Sequence, residues 1–381
     1  MLSVKRQVAA KIEAIEGTPE NLAAVDAKIL AFDPKIVFEP DRLAQTASAS
    51  SLSKRAKLTG RIPANFTYAI QLRGSGTLGT APEWAKLLRS CGVLESALKS
   101  ITIGVITNGP FQHGEQVTGG TSGGKGRVVI DTATGTTTLY YVVVSGNIQT
   151  GEILTGSISG ATATTGSAPV AAGLEYKLTC DELLVPSLTM ASYEDGVTKK
   201  MRGARGTAVF NFKAGEPCKI NFTHRGVKES VSDVAMLSIA QEQTKPPIFQ
   251  NASLAIGGYA ARIGELSIDI GNKMSEDDDA NAALGIRCFS IGDREPVGTM
   301  NPRMVLGSVN DFFNNWFTDA EKKLDFTIGT VAGNKFRFYM PKIQYDKIED
   351  ETRDGIALAN ISFTLNQNLE SGDDELTMLA L

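Results

Sequence analysis

Gly74-Ser75-Gly76-Thr77-Leu78-Gly79 is a GxGxxG stretch, the spacing by which free amides at a helix start cradle a pyrophosphate. Its flanks predict something else. Phe66, Tyr68, Ile70 and Leu72 alternate with Thr67, Ala69, Gln71 and Arg73, the period of a half-buried antiparallel strand. The first strand of a dinucleotide fold is buried on both faces and reads as an apolar run. Thr80-Ala81-Pro82-Glu83 matches a capping box, which predicts a helix opening only after the last glycine. No strand ends in a ribose-binding acid at the right distance downstream. The expectation is a flexible strand-to-helix turn with no cofactor.

Other chemistry-bearing residues are scattered. Cys91, Cys180, Cys218 and Cys288 form no CxxC pair, which predicts unpaired thiols and no metal site. His113 and His224 neighbour no ligand or nucleophile pattern and are expected at the surface or at strand ends. The acidic run Glu276-Asp277-Asp278-Asp279 lacks the spaced ligands and central glycine of an EF-hand calcium loop. No carboxylate pair has a recognisable catalytic setting, so no enzyme is expected. Two basic stretches remain, Lys54, Arg55, Lys57 and Arg61, then Lys199, Lys200, Arg202 and Arg205. Against the acidic run, and an acidic tail at Glu370, Asp373, Asp374 and Glu375, they read either as solvated loops or as complementary contacts between subunits.

Composition sets the class. The chain has 381 residues, 42% hydrophobic and 21% charged, enough for two or three ordinary globular domains. Abundant Gly, Thr and Ser with little helical periodicity predict a mainly β fold. With 38 Lys plus Arg against 42 Asp plus Glu, the net charge of -4 predicts no strong nonspecific grip on nucleic acid. Lys11 and Glu13 interrupt any signal-peptide core, and no apolar run reaches membrane-spanning length, which predicts a cytoplasmic product with no membrane.

The elements that would carry these residues fall into three blocks. Residues 104–172 are rich in Gly, Thr and Ser, and Gly114 to Gly123 recurs as Gly151 to Gly160 with six of ten positions identical. This predicts a small all-β module inserted into a host domain and projecting outwards. The remainder reads as one architecture used twice, over 1–103 with 173–235 and over 236–381. In the first copy we expect a strand at Lys35–Phe38, a polar loop at Pro40–Gly60, a strand at Arg61–Arg73 and a helix at Thr80–Cys91 burying Trp84, Leu87, Leu88 and Cys91. Strands at Ser187–Ala191, Gly206–Phe212 and Cys218–Thr223 follow, the first two parted by a Glu194-Asp195-Gly196 turn. In the second copy the pattern predicts a strand at Glu265–Ile270, a polar loop at Gly271–Ala280, a strand at Leu284–Ile291 and a helix near Ser308–Phe317. Three more strands, at Leu324–Ile328, Phe336–Met340 and Ile356–Leu365, end the chain, the last with a bulge expected at Ala359-Asn360. The two tryptophans, Trp84 and Trp316, would each anchor the single helix of one copy.

These stretches together resemble a known family. Ala10 to Thr18 with Phe38-Glu39-Pro40-Asp41, Gly74 to Gly92, Tyr193 to Phe212 and Pro246 to Asp293 with Ile256-Gly257-Gly258-Tyr259 are similar to the major tail tube proteins of siphophage-type tailed bacteriophages. The resemblance covers most of the chain outside 104–172. It implies a structural virion protein, each tube module two packed antiparallel sheets with one flanking helix. Modules would join into stacked rings of three duplicated chains, with pseudo-sixfold symmetry, or of six chains. It further implies assembly in the host cytoplasm, tape measure and tail terminator or tip proteins as partners, and transient, non-specific passage of double-stranded DNA through an acidic or neutral lumen. The alternative is a distal tail or decoration protein whose inserted β domain binds host surface glycans.

Overall fold

Period-two segments dominate the sequence, and the backbone follows them. The computed structural model describes residues 5–46, 48, 50, 51, 53–133, 135–239 and 242–381. Strands β1 (Arg6–Ile12) and β2 (Ala31–Phe38) lead to a short pair, β3 (Arg42–Leu43) and β4 (Leu58–Thr59), then to β5 (Pro63–Gln71) and helix α1 (Ala85–Arg89). Next come β6 (Val93–Thr102), β7 (Gln116–Gly119), β8 (Lys125–Val128), β9 (Thr138–Ser145), β10 (Ile153–Gly156), β11 (Thr162–Thr164) and β12 (Val170–Leu178). Strands β13 (Leu188–Glu194), β14 (Val197–Lys213) and β15 (Lys219–Asp233) follow. The rest holds β16 (Ala255–Ile256), β17 (Ile263–Asp269), β18 (Asn272–Asp278), β19 (Ile286–Arg294), β20 (Val297–Pro302), helix α2 (Phe312–Phe317), β21 (Lys322–Ile328), β22 (Phe336–Arg353), β23 (Ile356–Leu365) and β24 (Thr377–Ala380).

Hydrogen bonding sets eight of these strands side by side, all antiparallel, in the order β2, β5, β15, β14, β17, β20, β23, β22. A second layer runs β16, β21, the first part of β22, β24, β12, β6 and on through β9. β22 serves both layers, pairing with β24 at Phe336–Tyr339 and with β23 from Ile343 onwards. Alternate residues of each strand meet between the layers. Phe210 and Phe212 of β14 lie edge-on to Phe338, and Phe212 edge-on to Phe326, with centroids 5.0–5.4 Å apart.

The pairings recur in order along the chain. β1 with β13, β13 with β14, β14 with β15, β15 with β5 and β5 with β2 are matched by β16 with β21, β21 with β22, β22 with β23, β23 with β20 and β20 with β17. A hairpin interrupts each equivalent connection, β3 with β4 in one and β18 with β19 in the other. The pair β6 and β12, lying between α1 and β13, has no match between α2 and β21.

Several expectations change. Helix α1 starts four residues later than the capping box places it, with Trp84 rather than Thr80 as its N-cap and no side-chain cap bond. Glu83 instead reaches Lys28 at 3.8 Å, and Pro82 accepts from the Ala85 amide as a lead-in turn. The polar segment after Gly271 is a strand rather than a loop, because β19 presents Ile286, Cys288 and Phe289 inwards and β18 pairs along it. β23 carries no bulge at Ala359-Asn360. Ala359, Ile361, Phe363 and Leu365 keep one buried phase, while Ile356 lies exposed at the hairpin tip; the register shift falls on β22 between Tyr345 and Lys347. The Asp195-Gly196 turn is present as expected, both residues at positive φ.

Strands β7 to β11 surround their own apolar cluster, which includes Phe111, Val117, Leu139, Tyr141 and Leu154. The two sequence repeats exchange carboxylates across it. Glu115 of the first repeat accepts from the Ile158 and Ser159 amides of the second, each at 3.0 Å. Glu152 of the second accepts from the Thr121 and Ser122 amides of the first, at 3.1 and 2.8 Å. Gly119 and Gly156 are small because each lies against the opposite carboxylate, where a Cβ would stand 2.3 Å from Glu152 Oε1 or 2.7 Å from Glu115 Oε2. Burial pushes the Glu152 carboxyl up, but the Gln149 amide and the Ser122 amide and hydroxyl, with Thr121, hold it below the ordinary carboxylate range.

Candidate functional site

The outward face of the eight-stranded sheet is a continuous polar surface built by cross-strand register. Each strand buries one phase and exposes the other, so its composition is dictated by the alternate residues. Thr67, Thr223 and Thr207 stand in one cross-strand row ending at Lys35. Asn211, Ser267, Thr299 and Ser362 stand in another, between Lys219 and Lys347. A third runs through Asn221, Val209, Asp269, Val297, Thr364 and Gln344. At its margin Lys213 pairs with Glu216 at 2.8 Å and Arg353 with Glu265 at 3.9 Å. Hydroxyls and amides with isolated, mixed-sign charges offer no cluster of bases for phosphates, the condition for weak and transient nucleic-acid contact.

The charged residues singled out in the sequence divide into two groups. Lys54, Arg55 and Lys57 are exposed between β3 and β4. Arg61 reaches across the surface to Asp278 at 2.7 Å and Glu276 at 3.3 Å, so the first basic stretch meets the acidic run within one chain. Asp277 lies 3.6 Å from Cys288 Sγ, and Asp279 accepts from the Asn281 amide. The second basic stretch lies within strand β14, not in a loop, and holds the N-terminal segment. Lys199 pairs with Glu194 at 2.9 Å, Lys200 donates to the Glu20 carbonyl, and Arg202 donates to the Gly17 carbonyl and pairs with Glu229. Arg205 is only 5% exposed, pairing with Glu16 and donating to the Val185 and Phe289 carbonyls.

The glycine motif forms a joint between the two sets of strands. The Gly74 amide donates to Asn334 Oδ1 at 2.7 Å and the Gly76 amide to the Gly333 carbonyl at 3.2 Å, so these two amides are spent within the fold. A Cβ on Gly74 would stand 1.8 Å from Gly333 O, and one on Gly333 would stand 2.7 Å from Thr77 N. Only glycine permits this backbone approach. Beyond the joint, Trp84 donates to the Arg73 carbonyl at 2.7 Å and is buried against Tyr176 and Phe336. Trp316 on α2 donates to the Asp346 carbonyl at 3.1 Å.

The sequence profile of the family described as phage tail tube protein matches residues 5–365, nearly the whole described chain. The chain belongs to the phage tail tube protein family. No curated protein matches it. The tail tube assignment makes this a structural component of the virion tail, of a family whose members assemble into a tube, and the mainly β architecture agrees with it.

Both histidines of this tail tube protein are buried, against the expectation of surface positions. His224 follows Ile220 and Phe222 on the buried phase of β15. Ser90 Oγ donates to the Leu87 carbonyl at 2.7 Å, which leaves it to accept from His224 Nε2 at 2.9 Å. Nδ1 then accepts from the Tyr68 hydroxyl at 3.2 Å, so the ring is neutral and ties α1 to the sheet. Burial pushes its pKa down to about 3. His113 Nδ1 faces the Val129 carbonyl at 2.6 Å, and its ring centroid lies 5.1 Å from that of Tyr339. Burial lowers its pKa as well. That contact belongs to a seam fixing the module of β7 to β11 on the body, where Arg127 pairs with buried Glu175, Tyr339 donates to Asp131, and Val129 and Ile130 pack on Leu379. The module therefore lies docked along the body, not suspended from two strands.

Proposed function

We propose that this tail tube protein polymerises into stacked rings through which phage DNA reaches the host, and that the polar face of its eight-stranded sheet lines the channel. The observation that carries the reading is a pair of unmatched edges. Among the described residues, β2 pairs along its length only with β5, and β22 beyond Ile343 only with β23. Inside the chain the equivalent strands are already joined, since β14, the counterpart of β22, pairs with β17, the counterpart of β2, from Val209–Asp269 to Lys213–Glu265. Repeating that joint between chains, β22 of one copy against β2 of the next, continues the sheet without a new kind of contact.

On this reading the chain is a duplication, one module over 1–103 and 173–235 and the other over 236–381, with 104–172 as the inserted domain. Three chains then bring ~24 strands into one ring. At a strand spacing of about 4.8 Å and a tilt of about 40° the wall measures about 50 Å across. Lys54, Arg55 and Lys57, which have no ion-pair partner among the described residues, reach from their loop to an acidic surface of an adjacent subunit. Assembly takes place in the host cytoplasm on a tape measure protein and ends at terminator and tip proteins.

Concentration-dependent sedimentation of the purified chain with negative-stain imaging tests this. Rings or tubes are expected. A species that stays monomeric at every concentration contradicts the reading.

A further inference from the structure

Helix α2 carries Phe317, the most exposed aromatic side chain among the described residues. Phe317 is 73% exposed and stacks on Trp316 with centroids 5.4 Å apart, and the preceding loop exposes Leu306 at 76% and Val309 at 59%. An apolar patch of this kind on one short segment marks an interface rather than a solvent face. The equivalent helix α1 shows what such a helix needs. Its Trp84 is covered by Tyr176 of β12 at 5.4 Å and by Phe336 at 6.0 Å, the first residue of β22. The loop before α1 is sealed by the Gly333-Asn334 turn leading into that same strand.

Neither cover exists for α2 within the chain. Among the described residues β6 and β12 have no match in the second set of strands, and no strand there takes the place beside α2 that Phe336 of β22 takes beside α1. In the first set, the counterpart of β22 is β14, which starts at Val197 directly after the Asp195-Gly196 turn. We propose that the Leu306–Phe317 surface of one copy is covered by the β13–β14 hairpin of the next copy, centred on Val197, as the glycine joint covers α1 within a chain. This rests on the ring-forming reading above and adds the surface that selects the neighbour. Sheet pairing at β2 and β22 supplies backbone bonds that any strand edge can offer, whereas the aromatic patch is a side-chain fit to one hairpin.

The test is Phe317→Ser in the full chain. Because Phe317 is exposed in the single chain, the variant is expected to keep the monomer's circular dichroism and melting temperature while raising the concentration needed for assembly at least tenfold. A variant that assembles as the parent does overturns this inference and leaves the ring reading intact; a parent chain that never assembles overturns both. The occupant is read separately in a Cys180→Ser background. Phe317→Cys in one population and Val197→Cys in another, mixed and assembled, are expected to cross-link with a short bismaleimide. Assembled tubes without that cross-link show that another surface covers α2.

Discussion

Replacing Gly74 by Ala isolates the steric content of the glycine joint. Gly74 is buried and does not hold left-handed backbone, so alanine meets no conformational penalty of its own. Its Cβ would lie 1.8 Å from Gly333 O and 2.7 Å from Asn334 Cα, and both obstacles are backbone. The two segments must part by more than an ångström, which breaks the Gly74–Asn334 and Gly76–Gly333 bonds. Two hydrogen bonds at about 1 kcal/mol each, with overpacking of about 1 kcal/mol or more, give about 3 kcal/mol. An unfolding entropy of roughly 2 cal/mol/K per residue converts this to about 4 °C in melting temperature for a chain of 381 residues. Gly79→Ala is the control, since Gly79 has φ +75 with nothing within 4 Å of a Cβ, and only its backbone conformation is penalised, at about 1 kcal/mol. Calorimetry on both variants decides the matter. Equal losses, or a Gly74→Ala variant that melts with the parent, refute the joint as the reason for these glycines.

The carboxylate exchange predicts crossed damage. Glu152→Ala should cost about 3 kcal/mol in the module and raise amide hydrogen exchange at Thr121 and Ser122, in the other repeat; faster exchange confined to the turn beside residue 152 contradicts it. The buried histidines predict acid sensitivity. Unfolded, His224 titrates near ~6.5, whereas folded it stays neutral down to about 3, so stability is complete above that unfolded value and falls as the pH drops between the two, by about 1.4 kcal/mol per pH unit. Denaturant titrations of the parent and His224→Gln between pH 6 and pH 4 should differ in slope by one proton. Equal slopes contradict a neutral, buried His224.

Strand β5 was legible because its inward phase is aromatic and aliphatic and its outward phase is not, and the same rule placed Leu266 and Ile268 on β17. His224 shared that signal, standing in phase with Ile220 and Phe222, but its polarity masked it. β18 was hidden because Glu276 to Asp278 disfavour strands, and only pairing with β19 makes one of them. The bulge expected at Ala359-Asn360 does not form because Ile356, out of phase with Ile361 and Phe363, is exposed at a hairpin tip that puts no demand on phase. On the polar sheet face, the residues were visible but their rows were not, since cross-strand register joins positions such as Asn211 and Ser362 that lie far apart in sequence. The identical Glu115 and Glu152 of the repeat were the readable trace of the exchange, whose direction only the packed module reveals.

In the proposed ring three duplicated chains continue one sheet around a polar channel. A cryo-electron microscopy average viewed down the axis of assembled tubes tests it most directly. Three chains should give a wall of ~24 strands about 50 Å across, three outer densities for residues 104–172, and Thr67, Asn211, Ser267 and Thr299 facing the lumen. Six outer densities, or a lumen lined by any other face of the chain, would contradict it.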